Sequence, residues 1–164
     1  MDVYLVRHAI AHERNDARWP NDAQRPLTAT GKRKFREAAR GLARFLPKKV
    51  RVLTSPCVRA RETARILVSV AKLGKPVETP GLASGKAARE SFALLRAQRR
   101  KAVVMVGHEP NLSTWMSAAL AEHSRIDVEF KKGGAACLRF EGAIAPGRAT
   151  LVWMLTPRAL RSMR

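Results

Sequence analysis

The sequence contains little cysteine, few aromatic residues, few acidic residues and no long apolar segment. Cys57 and Cys137 are its only cysteines. Two thiols cannot form a four-ligand zinc site alone, and a chain of 164 residues needs no disulfide to support its core. No apolar run approaches the ~20 residues of a transmembrane helix, and the apolar stretch 3–6 lacks the basic leader of a signal peptide. We therefore expect a cytoplasmic protein that does not associate with membranes.

The charge of the chain is strongly positive, because 32 Lys and Arg residues outnumber 13 Asp and Glu residues and leave a net charge of +19. Such a field attracts phosphorylated substrates, nucleic acids and acidic proteins. The same charge also fits a basic composition that has no binding role. Nucleic-acid binding benefits from aromatic side chains that stack on bases, but the five Phe, three Trp and one Tyr lie outside the basic clusters. The sequence therefore disfavours nucleic acid as a partner.

Strand and helix patterns alternate along the chain, with no repeat and no linker long enough to separate domains. Short apolar runs predict strands at 3–6, 50–53, 102–106, 135–140 and 150–155, with another short strand near Val77. Amphipathic periods predict helices over 27–46, 56–74 and 86–100, and a fourth that begins at Pro110. We therefore expect a single α/β domain over residues 1–164, with three α/β/α layers around a mostly parallel central sheet.

Two local features of the predicted helices can be tested directly. Ser55 followed by Pro56 predicts that the second helix has a serine N-cap and a proline at its first helical position. The first helix carries an apolar stripe that includes Phe35, Leu42 and Phe45. This stripe predicts that all three side chains face the core.

Polar residues follow the predicted strands at the points where ligands bind in sheets of this kind. Arg7 and His8 follow the first strand. Ser55 follows the second strand, Arg59 lies one turn into the next helix, and His108 follows the central strand. Two arginines can clamp a phosphoryl group, a neutral imidazole can attack phosphorus, and the start of a helix adds N–H donors. The sequence thus predicts an anion-binding site that contains a nucleophile.

Several segments match, in order, the pattern of a known family. They are Arg7-His8-Ala9, Arg25-Pro26-Leu27-Thr28 followed by Gly31, Ser55-Pro56-Cys57-Val58-Arg59-Ala60-Arg61-Glu62-Thr63, Gly107-His108-Glu109-Pro110 and the closing Leu155-Thr156-Pro157. On these segments the chain resembles the histidine phosphatase (phosphoglycerate mutase-like) superfamily, and within it the short branch of SixA-type phosphohistidine phosphatases. The resemblance spans nearly the whole chain. Ala9 replaces the glycine of the superfamily signature, a small change that we expect to have little effect.

The resemblance implies a phosphoglycerate mutase-like fold and a role for each residue of the predicted site. His8 is implied as the nucleophile that becomes phosphorylated. The groups implied to hold the phosphoryl oxygens are Arg7, Arg59 and His108, with Ser55 beside them and Arg25 at the mouth of the site. Arginines can stabilise the charge on a phosphoryl group in transfer. We therefore expect no metal ion and no other cofactor.

One expected group is missing from the sequence. Larger members of the superfamily place a carboxylic acid after the second helix, where it protonates the leaving oxygen. Here the segment 79–85 contains no carboxylate, and Glu78 just before it is not expected to reach the site. A phosphorylated histidine needs no such acid, since its ring leaves as an imidazole whose conjugate acid has a pKa of ~6.5, whereas an alkyl phosphate does need one.

These observations favour a metal-independent phosphohydrolase that removes phosphate from phosphohistidine on a protein. Two alternatives remain open at this stage. One is a phosphomonoesterase of the same mechanism that acts on a small phosphorylated metabolite. The other is a non-catalytic basic module that binds phosphate-rich polyanions, in which His8 would not matter.

Overall fold

The computed structural model of the chain describes residues 1–163 and shows an α/β fold. The strands are β1 (Asp2–Arg7), β2 (Arg51–Thr54), β3 (Val77–Glu78), β4 (Ala102–Gly107), β5 (Ala135–Arg139) and β6 (Thr150–Leu155). The helices are α1 (Ala29–Ala43), α2 (Val58–Ala71), α3 (Ala88–Arg96), α4 (Asn111–Leu120) and α5 (Pro157–Ser162), with short 3-10 helices at Asp22–Gln24 and Pro80–Leu82. The predicted alternation is confirmed, and α5 is an addition that periodicity did not reveal. Within these residues, no helix has both the length and the hydrophobicity that a membrane crossing requires.

The sheet brings three distant parts of the chain to one edge. Its strand order is β3-β2-β4-β1-β5-β6. The first four strands are parallel, and β5 pairs antiparallel with both β1 and β6. In this register Arg7 pairs with Gly107, and Thr54 pairs with Val106. The residues that follow β1, β2 and β4 therefore emerge side by side, as the predicted parallel sheet requires.

Helices cover both faces of the sheet and enclose a separate apolar cluster on each. Alternate residues of β1 point to opposite faces, so that Val6 joins one cluster and Leu5 joins the other. Helices α1, α2 and α5 supply the first cluster, which includes Phe35 and Leu160. Helices α3 and α4 supply the second, in which Trp115 is almost fully buried. The predicted three-layer α/β/α architecture is confirmed.

Two local predictions were wrong. Helix α2 begins at Val58 with Cys57 as its N-cap, so Ser55 does not cap it. The reason is that the Ser55 hydroxyl is fully buried against His108, which gives it a partner outside the helix. Phe45 lies beyond the end of α1 with 36% of its surface exposed, and its ring packs on Trp153 at the edge of the sheet.

Candidate active site

His8 directly follows β1, and one hydrogen bond determines which of its ring nitrogens is free. The side chain is buried, and Nδ1 lies 2.7 Å from the carbonyl oxygen of Ala9. A carbonyl oxygen can only accept, so Nδ1 carries the ring hydrogen. The lone pair is therefore on Nε2. A neutral imidazole with Nε2 free is the form that can attack phosphorus.

His108 follows β4 and lies beside His8. The two ring centroids are 5.1 Å apart, and His108 is 2% exposed. Its Nε2 is 2.7 Å from the hydroxyl oxygen of Ser55, while its buried Nδ1 has no hydrogen-bond partner among residues 1–163. When the Ser55 hydroxyl donates to Nε2, the ring hydrogen lies on Nδ1 and can be donated to an anion.

Two arginines contribute guanidinium groups to the same site, Arg59 from a buried position and Arg7 from a half-buried one. Arg7 Nη1 donates to the carbonyl oxygen of Phe130 at 2.6 Å. Arg59, 4% exposed, donates from Nη1 to the carbonyl oxygen of Asp22 at 2.8 Å, and its Nη2 is 3.0 Å from Asp22 Oδ2. The Nε groups of both arginines are buried without an acceptor among the described residues. Buried unpaired donors are costly, and a bound oxyanion would satisfy them.

Sequence reasoning missed Asp22, which joins the two arginines at the mouth of the site. Arg25 donates from Nε to Asp22 Oδ1 at 2.7 Å and from Nη1 to the carbonyl oxygen of His12 at 2.5 Å. The hydrogen bond from Arg25 lowers the pKa of Asp22, and the charge of Arg59 acts in the same direction. Asp22 is therefore an ionised carboxylate. A single Asp in a polar loop gives no sequence pattern, so only the pairing with two arginines reveals it.

Replacement of Asp22 by asparagine is expected to strengthen oxyanion binding several-fold. The Asp22 carboxylate places a negative charge where Arg59 would hold an anion, and a unit charge several ångströms away contributes about 1 kcal/mol in a largely aqueous environment. Asparagine keeps the size of the side chain and the main-chain acceptor for Arg59 Nη1. Titration of both proteins with tungstate, a tetrahedral oxyanion, measures the effect. Weaker binding by Asp22→Asn would show instead that the carboxylate mainly orients Arg59.

Helix α2 fixes the loop that carries the nucleophile. The hydroxyl of Thr63, fully buried, donates to the carbonyl oxygen of Arg59 at 2.7 Å and accepts from the amide of Ala9 at 3.0 Å. Glu62 accepts from the amide of Leu27 at 2.8 Å and from Lys32 Nζ at 2.5 Å. These contacts tie the loops after β1 and before α1 to the first half of α2, which also carries Arg59.

The other carboxylates that flank the site in sequence are engaged elsewhere. Glu78 Oε1 lies 3.4 Å from Arg61 Nη1 in an exposed pair, which agrees with the expectation that it does not reach the site. Glu109 accepts from the amide of Ser113 at 3.2 Å and so caps the first turn of α4. No group of three or more His, Cys, Asp or Glu side chains within residues 1–163 is arranged to hold a metal ion.

Burial keeps both histidines neutral at physiological pH. The pKa of His8 is lowered to about 3, and burial is the largest cause. The charges of Arg59 and Arg7 also lower this pKa, whereas the hydrogen bond to Ala9 raises it. Burial and Arg59 lower the pKa of His108 to about 4. The cationic surroundings that would hold a phosphoryl group therefore also favour the form of His8 that can attack one.

The free energy of unfolding is expected to decrease as the pH falls below about 6.5. In the unfolded chain both histidines titrate near 6.5, whereas in the fold they stay neutral to about pH 4. Between these values the unfolded state binds more protons, so each histidine removes up to about 1.4 kcal/mol of stability per pH unit. Urea unfolding at several pH values between 5 and 7.5 measures this slope. His108→Asn should reduce it and His123→Asn, in an exposed loop, should not; a flat wild-type profile would contradict the prediction.

The structure therefore brings together four of the predicted residues in one cluster, in which His8, Arg59 and His108 are buried and Arg7 is half-buried. Arg25 lies at its mouth but contacts Asp22 and the carbonyl oxygen of His12, and not His8 or His108. The Ser55 hydroxyl contacts His108 and accepts from the amide of Cys57 at 3.3 Å. The individual roles of these residues in phosphate binding and catalysis stay predictions.

Comparison with known proteins places the chain in a family. Residues 3–84 match the Histidine phosphatase superfamily (branch 1). An uncharacterized protein of Picosynechococcus sp. is 35% identical over 146 residues, which cover 85% of each chain. The putative phosphohistidine phosphatase SixA of Agrobacterium tumefaciens is 25% identical, with a TM-score of 0.76 over 95% of this chain and 97% of that one.

Two further solved structures share the fold. The protein histidine phosphatase SixA complexed with tungstate is 24% identical, with a TM-score of 0.82 over 98% of this chain and 99% of that one. A putative α-ribazole-5'-P phosphatase from Escherichia coli is 19% identical, with a TM-score of 0.66 over 96% and 98% of the two chains. The sequence match, the phosphoglycerate mutase-like fold and the cluster of histidines and arginines agree. The chain belongs to the histidine phosphatase superfamily and is a phosphatase of its SixA-like branch.

Proposed function

We propose that this phosphatase hydrolyses phosphohistidine on a protein substrate, through a covalent phosphoryl intermediate on His8 and without a metal ion. The observation that carries the proposal is that each carboxylate around the site already interacts with another group of the protein. Asp22 is ionised by Arg25 and Arg59, Glu109 caps α4, and Glu78 pairs with Arg61. None of these groups is suited to protonate an alkoxide leaving group. A phosphohistidine substrate does not require that proton donor, because its leaving group is an imidazole.

In the first step Nε2 of His8 attacks the phosphorus atom, and the bond between phosphorus and the substrate imidazole breaks. The substrate ring, which carries a hydrogen on its other nitrogen, leaves with the electron pair of that bond as a neutral imidazole, so this step needs no proton donor. Charge on the three equatorial oxygens is stabilised by Arg7 and Arg59 and by a hydrogen bond from His108 Nδ1. The hydrogen bond from His8 Nδ1 to Ala9 keeps the attacking nitrogen aimed at phosphorus.

In the second step a water molecule attacks the phosphoryl group on His8, and the bond between Nε2 and phosphorus breaks. Inorganic phosphate leaves, and His8 returns to its neutral form. The leaving group of this step is again an imidazole, so it is as easily displaced as the first one. The same arginines stabilise the charge on the phosphoryl oxygens while the group moves onto His8 and while it leaves His8. One set of groups therefore supports both steps.

The test compares leaving groups on one peptide scaffold. Phosphate release is measured, with EDTA present, from a phosphohistidine peptide and from the same peptide with phosphoserine in its place. We expect kcat/KM to be at least about 10²-fold higher for phosphohistidine, since the missing general acid is worth 10²–10⁴-fold for an alkyl ester. Equal or faster release from the phosphoserine peptide would overturn the proposal, and loss of release in EDTA would overturn its metal-independent mechanism.

A small phosphorylated metabolite is the second candidate substrate. Its support is that the fold of this chain is shared by the putative α-ribazole-5'-P phosphatase. Faster release from small alkyl phosphates than from the phosphohistidine peptide would favour this candidate.

A further inference from the structure

A groove beside the active site is bordered by several basic residues, while most of the surface inside its main cavity is apolar. Its main cavity has a volume of about 580 Å³ and is bounded by Arg7 at the active-site end. Along it lie Ile10, Lys131, Lys132, Arg158 and Arg161. A smaller cavity of about 210 Å³ shares Ile10, Lys132 and Arg161 and adds Lys34. We call these two adjoining cavities the basic groove.

Most of the charge in the basic groove is not neutralised by the fold. Lys131 pairs with Glu129. In contrast, Lys132, Arg158 and Arg161 form no salt bridge with any carboxylate of residues 1–163. Neither cavity has an acidic side chain in its lining. A concave surface with charge of one sign concentrates its field and attracts ligands of the opposite charge.

The basic groove is held at a fixed position relative to the nucleophile. The amide of Gly133 donates to the carbonyl oxygens of Arg7 at 3.1 Å and His8 at 3.2 Å, and the amide of Arg7 donates to Gly134 at 3.2 Å. Gly133 has a φ of 79°, a left-handed conformation that glycine adopts without strain. The turn that carries Lys132 is therefore tied to the backbone of the nucleophile, so residues next to a substrate phosphohistidine would meet the groove.

The lining of the groove favours an acidic protein segment over nucleic acid. Bases bind proteins through exposed aromatic rings, but the one aromatic residue in the lining, Phe35, is only 2% exposed. Instead the groove has Ile10, 36% exposed, and Pro157 between its cationic groups. Such a surface suits a protein segment that combines aspartate or glutamate with aliphatic residues. The acidic side chains can meet the cationic groups, and the aliphatic side chains can pack on the apolar ones.

We propose that the basic groove binds acidic side chains that flank the phosphohistidine of the protein substrate, and so selects acidic partners for this phosphatase. The proposal rests on the proposed function, which supplies the phosphohistidine that the acidic side chains would flank. The groove itself is a second contact surface beside the phosphoryl site.

The experiment uses two phosphohistidine peptides that differ only in their flanks, one with glutamates and one with glutamines. The groove variant is Lys132→Ala/Arg158→Ala/Arg161→Ala. Its matched control is Lys48→Ala/Lys49→Ala/Lys75→Ala, which removes the same charge from exposed residues around a cavity at the opposite, amino-terminal ends of the strands. We expect wild type to prefer the acidic peptide by about tenfold in kcat/KM, mostly through KM. The groove variant should lose that preference and the control variant should keep it, while both hydrolyse the neutral peptide normally.

A binding measurement separates this proposal from the proposed function. Fluorescence polarisation with the unphosphorylated acidic and neutral peptides does not depend on catalysis. Preferential binding of the acidic peptide that the groove variant alone loses would support the groove, even if no phosphohistidine were hydrolysed. Equal binding of the two peptides by wild type, or equal losses in both triple variants, would overturn it. Tighter binding of a single-stranded oligonucleotide than of the acidic peptide would also overturn the choice of partner.

The charge-reversed variant Lys132→Glu/Arg158→Glu provides a gain of function that a folding defect cannot mimic. It is expected to reverse the preference, so that a peptide with lysine flanks becomes a better substrate than the peptide with glutamate flanks. An unchanged preference for the acidic peptide in this variant would overturn the proposal.

Discussion

Replacement of His8 by alanine is expected to reduce phosphate release by at least about 10³-fold, to a level at which only binding and charge stabilisation by the remaining groups contribute. The change removes the nitrogen that would form the bond to phosphorus, while Arg7, Arg59 and His108 stay in place. Rates are measured with the phosphohistidine peptide at saturating concentration. Tungstate titration of the same variant should show that oxyanion binding survives within about tenfold, because the arginines do not depend on the imidazole.

A covalent intermediate gives a more direct readout of the same step. Wild-type protein quenched during turnover of a labelled substrate should carry an acid-labile, base-stable phosphoryl group, and His8→Ala should carry none. His12→Ala is the matched control, since His12 lies outside the buried cluster in the loop before α1. Phosphorylated His8→Ala protein, or undiminished turnover by it, would rule out His8 as the nucleophile. Polyanion binding without any turnover in wild type would favour a binding module.

Replacement of Arg59 by alanine is expected to have the next largest effect, a decrease of about 10²–10³-fold in kcat/KM. Arg59 is almost fully buried, and its Nε has no acceptor in the described part of the chain, so its unused donors are available to the phosphoryl oxygens. Lysine at this position should restore little, because an ammonium group cannot form two parallel hydrogen bonds. The loss should appear in kcat as well as in tungstate affinity, as expected for a group that binds the transition state more strongly than the substrate.

The control for Arg59 is another arginine of the same helix. Arg61 also has a buried Nε without an acceptor in the described part of the chain, but its Nη1 pairs with the partly exposed Glu78 and not with Asp22. Arg61→Ala should therefore leave both kcat and tungstate affinity within about twofold. Arg59→Ala also leaves Asp22 with Arg25 as its remaining arginine partner, and a second change, Asp22→Asn, should recover part of the lost oxyanion affinity. If the single variants at 59 and 61 behaved alike, Arg59 would be a structural residue and not a catalytic one.

The elements that follow simple periodicity were predictable, and their exact ends were not. Strands β1 and β4 are continuous apolar runs because both of their faces are buried, and that pattern is visible in the sequence. The start of α2 was mispredicted because a serine before a proline signals a cap, whereas here the hydroxyl is drawn to His108, 53 residues away along the chain. Helix α5 was missed because its six residues are too few to show a period.

The order of the six strands and of helices α1 to α4, the residues that follow each strand and the family could all be read from the amino-acid sequence. Each of these depends on local periodicity or on motifs a few residues long, which are readable without coordinates. The contacts between side chains, in contrast, depend on how the elements pack in the fold. The pairing of Asp22 with Arg25 and Arg59, the hydrogen bond that leaves His8 Nε2 free and the basic groove beside Arg7 join residues from different elements. Such contacts arise from packing, since burial sets both the pKa of each histidine and the partners that each charged group can reach.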